Sequence, residues 1–306
     1  MDIYAYRWLP DNGTAAKGVV QISHGLSETA ARYGRFAASL TADGYAVYAN
    51  DHRGHGMTAK TPELAGDAGE NSFNMTVGDM RLLNDIIHEE NPALPVFLFG
   101  HSMGSMLAQS YIHLYGDTIS GCILSGTCGK QGLELDIGTM IAKREMRKIG
   151  PTSRSRKLNA LMFGKYNDAF KPARTDFDWL SRDEQEVDKY VDDPFCGGVC
   201  SSEFYYYFLM GMKEIHRRKN MEEIPKTLPI YIFSGEKDPV GGNCKTVKWL
   251  IREYQNLGIK DVSHRFYPEG RHEMLNELNR DEVVADVIAW LNAHTADKAR
   301  QKVGEV

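Results

Sequence analysis

Short apolar runs recur along the chain, and each is followed by turn residues and then by an amphipathic segment of helical length. The apolar runs lie at residues 18–22, 45–49, 96–99, 122–124, 230–233 and 262–267. Helical patterns lie between most of them, for example at residues 30–43, 77–91 and 103–115. Strands that alternate with helices predict an α/β fold, with a mostly parallel central sheet covered by helices on both faces. Catalytic groups of such sheets lie at the carboxyl ends of the strands.

Two further features concern the organisation of the chain. A further run at residues 3–8 precedes those named above. It could form an antiparallel hairpin with the run 18–22 at the edge of the sheet, because the turn-forming pair Asn12-Gly13 lies between them. Residues 126–228 show helical stretches but no strong strand signal, although a parallel crossover needs only about a dozen residues. We therefore expect an α/β core at residues 1–127 and 226–306, interrupted by a mainly helical cap at residues 128–225, here called the inserted segment.

Composition narrows the class of protein. The 306 residues include 36 Lys and Arg against 41 Asp and Glu, so the net charge of −5 gives no indication of a nucleic-acid partner. The first ten residues lack the features of a secretory signal, and the apolar runs are too short to span a membrane. Five cysteines, an odd number without zinc-ligand spacing, favour reduced thiols in a cytoplasmic protein without a metal or organic cofactor.

The chemistry is indicated first by a G-x-S-x-G motif formed by Gly100, His101, Ser102, Met103 and Gly104. It follows the strand-like run 96–99 and precedes the helical pattern 103–115. In this setting a serine sits on a strained turn with its hydroxyl exposed, and the flanking glycines keep bulky side chains away from the neighbouring strand and helix. Ser102 is therefore the candidate nucleophile.

A serine hydroxyl needs a base that removes its proton. In folds with this strand–turn–helix motif, the acid follows the serine along the chain and the histidine follows the acid. His272 lies in a loop between a strand and a helix, whereas His264 falls within a strand pattern and His294 near the end of a helix. Asp238 and Glu236 both follow the run 230–233. We favour Asp238 because its side chain is short and Pro239 stiffens the turn, with Glu236 as the alternative.

Acyl transfer also needs two N–H donors for the developing oxyanion. One is the backbone N–H of Met103, the residue after the nucleophile. The other is expected from the loop that follows an early strand, where His24, Gly25 and Leu26 lie, and Leu26 N–H is the candidate. His24 precedes Ser102, and we expect it to brace this loop through hydrogen bonds.

These motifs together resemble the monoacylglycerol lipase and lysophospholipase branch of the α/β-hydrolases, which is serine aminopeptidase-like, in its bacterial form. The resemblance is carried by residues 24–26, 51–56, 100–104, 235–239 and 271–273, in the order of the family. It implies an α/β-hydrolase fold and a serine carboxylester hydrolase that acts on single-chain lipids. Pieces of the inserted segment, residues 179–183 and 192–194, resemble the caps of bacterial members.

The chain departs from the family pattern at two places. The family loop usually reads H-G-x-G-E-H, whereas Ser27 and Thr29 replace the second glycine and the last histidine, and Ser105 replaces a glycine after Gly104.

The cluster at residues 51–56 contains a carboxylate and two imidazoles, but no matched ligand set accompanies it. We therefore expect it to form a hydrogen-bonded floor of the active site and not a metal site.

Two runs in the inserted segment each allow two interpretations. The aromatic run 204–210 can pack in the core or contact an acyl chain, in which case Phe204, Tyr207 and Phe208 would bind substrate. Residues 143–157 contain seven basic residues and one acid, so the run is either a solvated face or a patch that contacts an anionic membrane surface transiently.

The expected function is hydrolysis of a small-molecule ester or single-chain lipid through an acyl-enzyme. Alternatives on the same scaffold are a small-ester, thioester, aminoacyl or peptide hydrolase. A non-catalytic ligand receptor is the alternative from another functional class, and the presence of all three triad residue types disfavours it.

Overall fold

The computed structural model describes residues 1–11 and 14–304, and seven of its strands form one sheet in the order β1-β3-β2-β4-β5-β6-β7. The strands are β1 Ala5–Trp8, β2 Gly18–Ser23, β3 Tyr45–Asn50, β4 Val96–His101, β5 Gly121–Ser125, β6 Ile230–Gly235 and β7 Val262–Tyr267. β1 is antiparallel to β3, and the other neighbouring pairs are parallel. The predicted mostly parallel sheet is therefore confirmed.

Helices cover both faces of this sheet. They are α1 Gly34–Ala42, α2 Ser72–Glu90, α3 Met103–Tyr115, α4 Leu133–Ile149, α5 Arg156–Phe163, α6 Glu184–Asp192, α7 Ser202–Ile215, α8 Arg218–Glu222, α9 Lys245–Asn256 and α10 Arg280–Gly304. Phe36 of α1 and Val287 of α10 belong to the core on one face. Leu107 of α3 and Leu250 of α9 belong to the core on the other face. Because both faces are covered, β2 to β6 are buried along their whole length, as their continuous apolar patterns require.

The suggested hairpin between the first two apolar runs is wrong. β1 pairs with β3, from Ala5 opposite Asn50 to Trp8 opposite Val47, and β2 lies on the other side of β3. The turn pair Asn12-Gly13, which suggested the hairpin, lies outside the described residues. The antiparallel edge strand exists, but its partner is set by long-range packing and not by the nearest turn.

The inserted segment contains helices α4 to α8, and residues 126–229, all of which are described, contribute no strand to the sheet. Serine hydroxyls cap two of its helices: Ser155 Oγ accepts the Leu158 N–H at α5, and Ser201 Oγ accepts the Phe204 N–H at α7. Trp179, Leu180 and Tyr190 form a small buried cluster of their own. The segment is therefore mainly helical, and Phe204 and Phe208 of its helix α7 pack in the same core as Leu107 of α3.

The order of the strands determines where a site can form. The chain runs from β2 to β3 on one side and later returns to β4 on the other side, so β2 lies between them. The loops after β2 and β4 are neighbours, since Ser23 is paired with Gly100. Ligands of such sheets bind at this point of reversal, outside the carboxyl ends of the strands. Of the helices described, none is both long and apolar enough to cross a bilayer.

Candidate active site

Ser102 lies on the sharp turn between β4 and α3, with a φ of 51° that is rare for a residue other than glycine. Its N–H donates to Ser125 O at 2.9 Å, which ties the turn to β5. A Cβ on Gly100 would lie 2.5 Å from Gly104 O, and a Cβ on Gly104 would lie 2.6 Å from His24 O. The two glycines are therefore required by close backbone approach, as the G-x-S-x-G pattern predicts.

The structure brings His272 and Asp238 together. Nδ1 of His272 lies 3.0 Å from both carboxylate oxygens of Asp238, and both residues are buried. Asp238 Oδ1 also accepts the Val240 N–H at 2.9 Å, which fixes the carboxylate. Burial by itself would lower the pKa of His272, but the charge and hydrogen bond of Asp238 outweigh it and raise this pKa. Glu236, the alternative acid, is exposed.

Ser102 and His272 open into one cavity of about 520 Å³, together with Gly25 and Leu26. Within the described chain, no hydrogen bond joins the Ser102 hydroxyl to His272. In enzymes without substrate this contact is often long, and it shortens when substrate binds. The other late histidines lie elsewhere: His264 is exposed on β7, and His294 on α10 contacts Trp290 O and Asp261.

His24 stabilises the loop after β2 through two hydrogen bonds. Nε2 of His24 accepts the backbone N–H of His52 at 2.9 Å, so its other nitrogen, Nδ1, carries the proton and donates to Gly25 O at 2.7 Å. Burial lowers the pKa of His24, which favours this neutral tautomer. The predicted bracing role of His24 agrees with these contacts. Met103, the other candidate donor, opens α3, so its N–H has no partner within the helix.

A buried ion cluster, absent from the sequence-based prediction, joins the loop after β2 to the loop that carries His272. Arg32 donates to Glu28 at 2.5 Å and, through two nitrogens, to both carboxylate oxygens of Glu273 at 2.7 Å. Glu28 also accepts the Gly25 N–H at 2.5 Å. Burial would raise the pKa of Glu273, but Arg32 outweighs it and lowers this pKa to about 2. The i,i+4 spacing of Glu28 and Arg32 is the one local signal of this cluster.

The inserted segment supplies most of the remaining cavity wall. Its contribution includes Phe163, Phe177, Trp179, Leu180, Tyr190 and Val199. The Trp179 ring lies 5.0 Å from the His272 ring, measured between centroids. The His101 ring lies 4.8 Å from the same imidazole, and burial lowers the pKa of His101 to about 4.

The aromatic run 204–210 does not line this cavity. Phe204 and Phe208 are buried on α7, where Phe204 contacts His55 and Phe208 contacts Phe73 at ring-centroid distances of 5.8 and 6.3 Å. Tyr207 is partly exposed. The structure therefore favours core packing for this run, one of the two interpretations left open by the sequence.

The cluster at residues 51–56 forms a hydrogen-bonded floor. Asp51 accepts the N–H groups of Ala30 and Met57, both at 2.8 Å, and His52 Nε2 lies 3.0 Å from Ser23 Oγ. In the described part of the chain, no group of three or more His, Cys, Asp or Glu side chains is arranged to hold a metal ion. Within this cluster His55 Nδ1 lies 3.1 Å from Arg53 O, whereas the buried His55 Nε2 has no hydrogen-bond partner.

Comparison with known proteins is consistent with this geometry. The sequence model of the family described as "Serine aminopeptidase, S33" matches residues 14–279. The monoacylglycerol lipase of Mycolicibacterium smegmatis is 29% identical over 94% of this chain and 91% of its own length. The human monoglyceride lipase is 26% identical over 96% of this chain and 88% of its own length. The structure of a thermostable carboxyl esterase from Bacillus coagulans, in complex with glycerol, matches 96% of this chain and 94% of its own with 30% identity and a TM-score of 0.89.

Proposed function

Because the chain belongs to the serine aminopeptidase S33 family and is a serine ester hydrolase with the α/β-hydrolase fold, we propose that it cleaves single-chain lipid esters of the monoacylglycerol or lysophospholipid type. The observation that carries the proposal is the 520 Å³ cavity into which Ser102, His272 and the Leu26 loop open. Its further wall combines aromatic and aliphatic side chains, which suit an acyl chain, with the polar side chains of Asn159, Asn167 and Asp176. The names of the relatives, which are lipases and esterases, support the same substrate class.

The proposed reaction begins when Ser102 Oγ attacks the ester carbonyl carbon. His272 takes the serine proton at Nε2, because Nδ1 is engaged with Asp238. The N–H groups of Leu26 and Met103 stabilise the oxyanion. Collapse of the tetrahedral intermediate breaks the ester C–O bond, and His272 returns the proton to the leaving alcohol. Water, activated by the same imidazole, then releases the acid from Ser102.

We assign the inserted segment, residues 128–225, the role of a cap over the core formed by residues 1–127 and 226–306. Its residues Phe163, Phe177 and Trp179 line the same cavity as Ser102. A cavity of about 520 Å³ accommodates one acyl chain more easily than the three acyl chains of a triacylglycerol. Each CH₂ that is buried contributes about 0.8 kcal/mol. Specificity should therefore rise up to a few-fold per methylene until the cavity is full.

Transient contact with a membrane surface is a further part of the proposal. Leu133, Ile137 and Met140 lie along one face of α4 and are 78%, 51% and 66% exposed. The same face continues into an exposed basic turn with Arg144 and Arg147. An apolar stripe beside basic residues is typical of helices that lie on anionic bilayers. The Arg154 guanidinium, in contrast, donates hydrogen bonds to the backbone carbonyl oxygens of Glu63 and Val199.

Vesicle flotation tests this contact. The wild type should float with vesicles that contain an anionic phospholipid more than with purely zwitterionic ones. The triple variant Leu133→Ser/Ile137→Ser/Met140→Ser should lose flotation while it keeps hydrolysis of a water-soluble ester. Equal flotation of the two proteins would contradict the assignment to α4.

The substrate class is tested by kcat/KM for monoacyl esters from acetyl to palmitoyl, with a triacylglycerol, a thioester and an aminoacyl arylamide measured beside them. We expect a rise with chain length and a preference for monoacyl over triacyl substrates. A flat profile, or an optimum at acetyl, would leave a small-ester hydrolase. Preferred cleavage of the arylamide would indicate an aminopeptidase. A folded wild type that is inactive on all of them would indicate a receptor.

We also propose that the protein is located in the cytoplasm. All five cysteines are free thiols, as expected for a protein that does not depend on disulfides.

A further inference from the structure

The loop that carries His272 is contacted along its length by one short stretch of the inserted segment. The Glu273 N–H donates to Leu180 O at 2.7 Å, and the His272 N–H donates to Trp179 O at 3.3 Å. Ser181 Oγ donates to Asn276 O at 2.8 Å. His272 and the residues that follow it therefore have partners in this stretch and not only in the core.

Glu277 is the centre of this contact. Its side chain is fully buried, and it accepts the Arg182 Nε at 2.8 Å and the Arg182 backbone N–H at 3.1 Å. It also accepts the N–H groups of Arg271 at 3.0 Å and of Leu278 at 2.9 Å. One buried carboxylate thus binds the inserted segment and the His272 loop at the same time. A buried carboxylate is stable only with such a set of donors.

The reverse contact is made by Arg271, the residue before His272. Its guanidinium donates to Asp178 O at 2.5 Å and to Ser181 O at 3.1 Å. It also lies 4.3 Å from the centre of the Phe170 ring. These partners all belong to the inserted segment.

We propose that residues 178–182 and Glu277 form a positioning element for His272, so that the inserted segment sets the imidazole as well as covering the cavity. The proposal rests on the catalytic role assigned to His272 above. From the core, the ring is fixed by its bond to Asp238 and by contact with His101. The Trp179 ring contacts the imidazole as well, and the backbone hydrogen bonds to Trp179 O and Leu180 O hold the loop that carries it.

This arrangement divides the inserted segment into two parts. Withdrawal of residues 178–182 would remove the acceptors of two backbone N–H groups and one wall of the imidazole. Movement of α4 or α5 would leave these contacts intact.

The substitution Arg182→Ala tests the proposal, because Arg182 is 28% exposed and does not line the cavity. A misplacement of about 1 Å can cost about 100-fold in rate. With a water-soluble short-chain ester, we expect kcat to fall about 10- to 100-fold with KM changed less than about three-fold. The conservative variant Arg182→Lys should recover part of the loss. Millimolar guanidinium added to Arg182→Ala should also raise kcat, which it would not do for a partly unfolded protein.

The matched control is Arg154→Ala, which removes a guanidinium contact between the inserted segment and the core whose acceptors, Val199 O and Glu63 O, do not belong to the His272 loop. It should keep kcat near the wild-type value. The downfield proton resonance of His272 Nδ1–H, followed by ¹H NMR, should broaden or disappear in Arg182→Ala and persist in Arg154→Ala.

Wild-type kcat and an unchanged resonance in Arg182→Ala would overturn the proposal, as would equal losses in Arg182→Ala and Arg154→Ala. The catalytic role of His272 is tested separately by His272→Ala. Full activity of that variant would overturn the proposed function itself.

Discussion

The tightest backbone approach at the site is at Gly104, and it makes a quantitative prediction for Gly104→Ala. A Cβ there would press on Ser23 O and would lie 2.5 Å from the Ser23 carbonyl carbon and 2.6 Å from His24 O. Side-chain carbons essentially never approach other heavy atoms closer than 3.0 Å. Because Ser23 O is nearer still, either α3 or the end of β2 must move by about 1 Å. Neither moves freely, because α3 is buried from Met103 to Ile112 and β2 is a central strand.

The cost follows from this geometry. Overpacking against backbone lies at the upper end of the range of about 1–3 kcal/mol, so we expect a loss of about 3 kcal/mol in the free energy of unfolding. For a chain of this length, this loss lowers Tm by about 5 °C. The displaced atoms precede Leu26 and follow Ser102, so kcat/KM should fall about 100-fold as well.

Gly78→Ala is the matched control. Gly78 lies within α2, and a Cβ there would meet nothing within 4 Å. Alanine in a helix interior is favoured over glycine by about 1 kcal/mol, so this variant should have a slightly higher Tm and wild-type activity. Thermal unfolding and ester kinetics on both variants provide the test. A Gly104→Ala protein with wild-type Tm and kcat/KM would refute the close-approach argument.

Three further predictions concern the triad. The pKa of His272 is raised in the folded protein, so the neutral base is lost at higher pH than for a free imidazole. kcat/KM should therefore fall on acidification with an apparent pKa above about 6.5, and an acid limb centred well below that value would contradict it. Asp238→Asn should lower kcat by about 10³- to 10⁴-fold, whereas Glu236→Gln should stay near wild type; comparable losses would show that the two carboxylates share the role. His264→Ala and His294→Ala should keep the activity that His272→Ala loses, as steady-state kinetics on the three variants would show.

Much of the sheet could be predicted from the sequence because its signals are local. The apolar run 96–99 and the G-x-S-x-G turn fix β4, the turn and the start of α3 within a few residues. The same holds for β6, which delivers Asp238, and for β7, which precedes His272. Each of these depends on a few consecutive residues and on the fixed chain order of the fold.

The contacts that the sequence did not predict join residues that are distant along the chain. β1 pairs with β3 and not with the nearer β2, because register and burial across the sheet determine its partner. Arg32 and Glu273 are hydrogen-bonded although they lie 241 positions apart in the sequence. Arg182 and Glu277 are hydrogen-bonded across a sequence separation of 95 positions. No periodicity or turn signal encodes such pairs. The substrate wall is a similar case, since the conspicuous run 204–210 packs inward while scattered residues such as Phe163 and Trp179 line the cavity.

The most direct test of the central claim is the location of a covalent adduct. Wild-type protein is incubated with a fluorophosphonate, digested, and mapped by mass spectrometry, and Ser102→Ala is treated in parallel. The account predicts one adduct, on the peptide that contains Ser102, with loss of ester hydrolysis in proportion to labelling and no adduct on Ser102→Ala. An adduct on another residue, or full ester hydrolysis by Ser102→Ala, would contradict it.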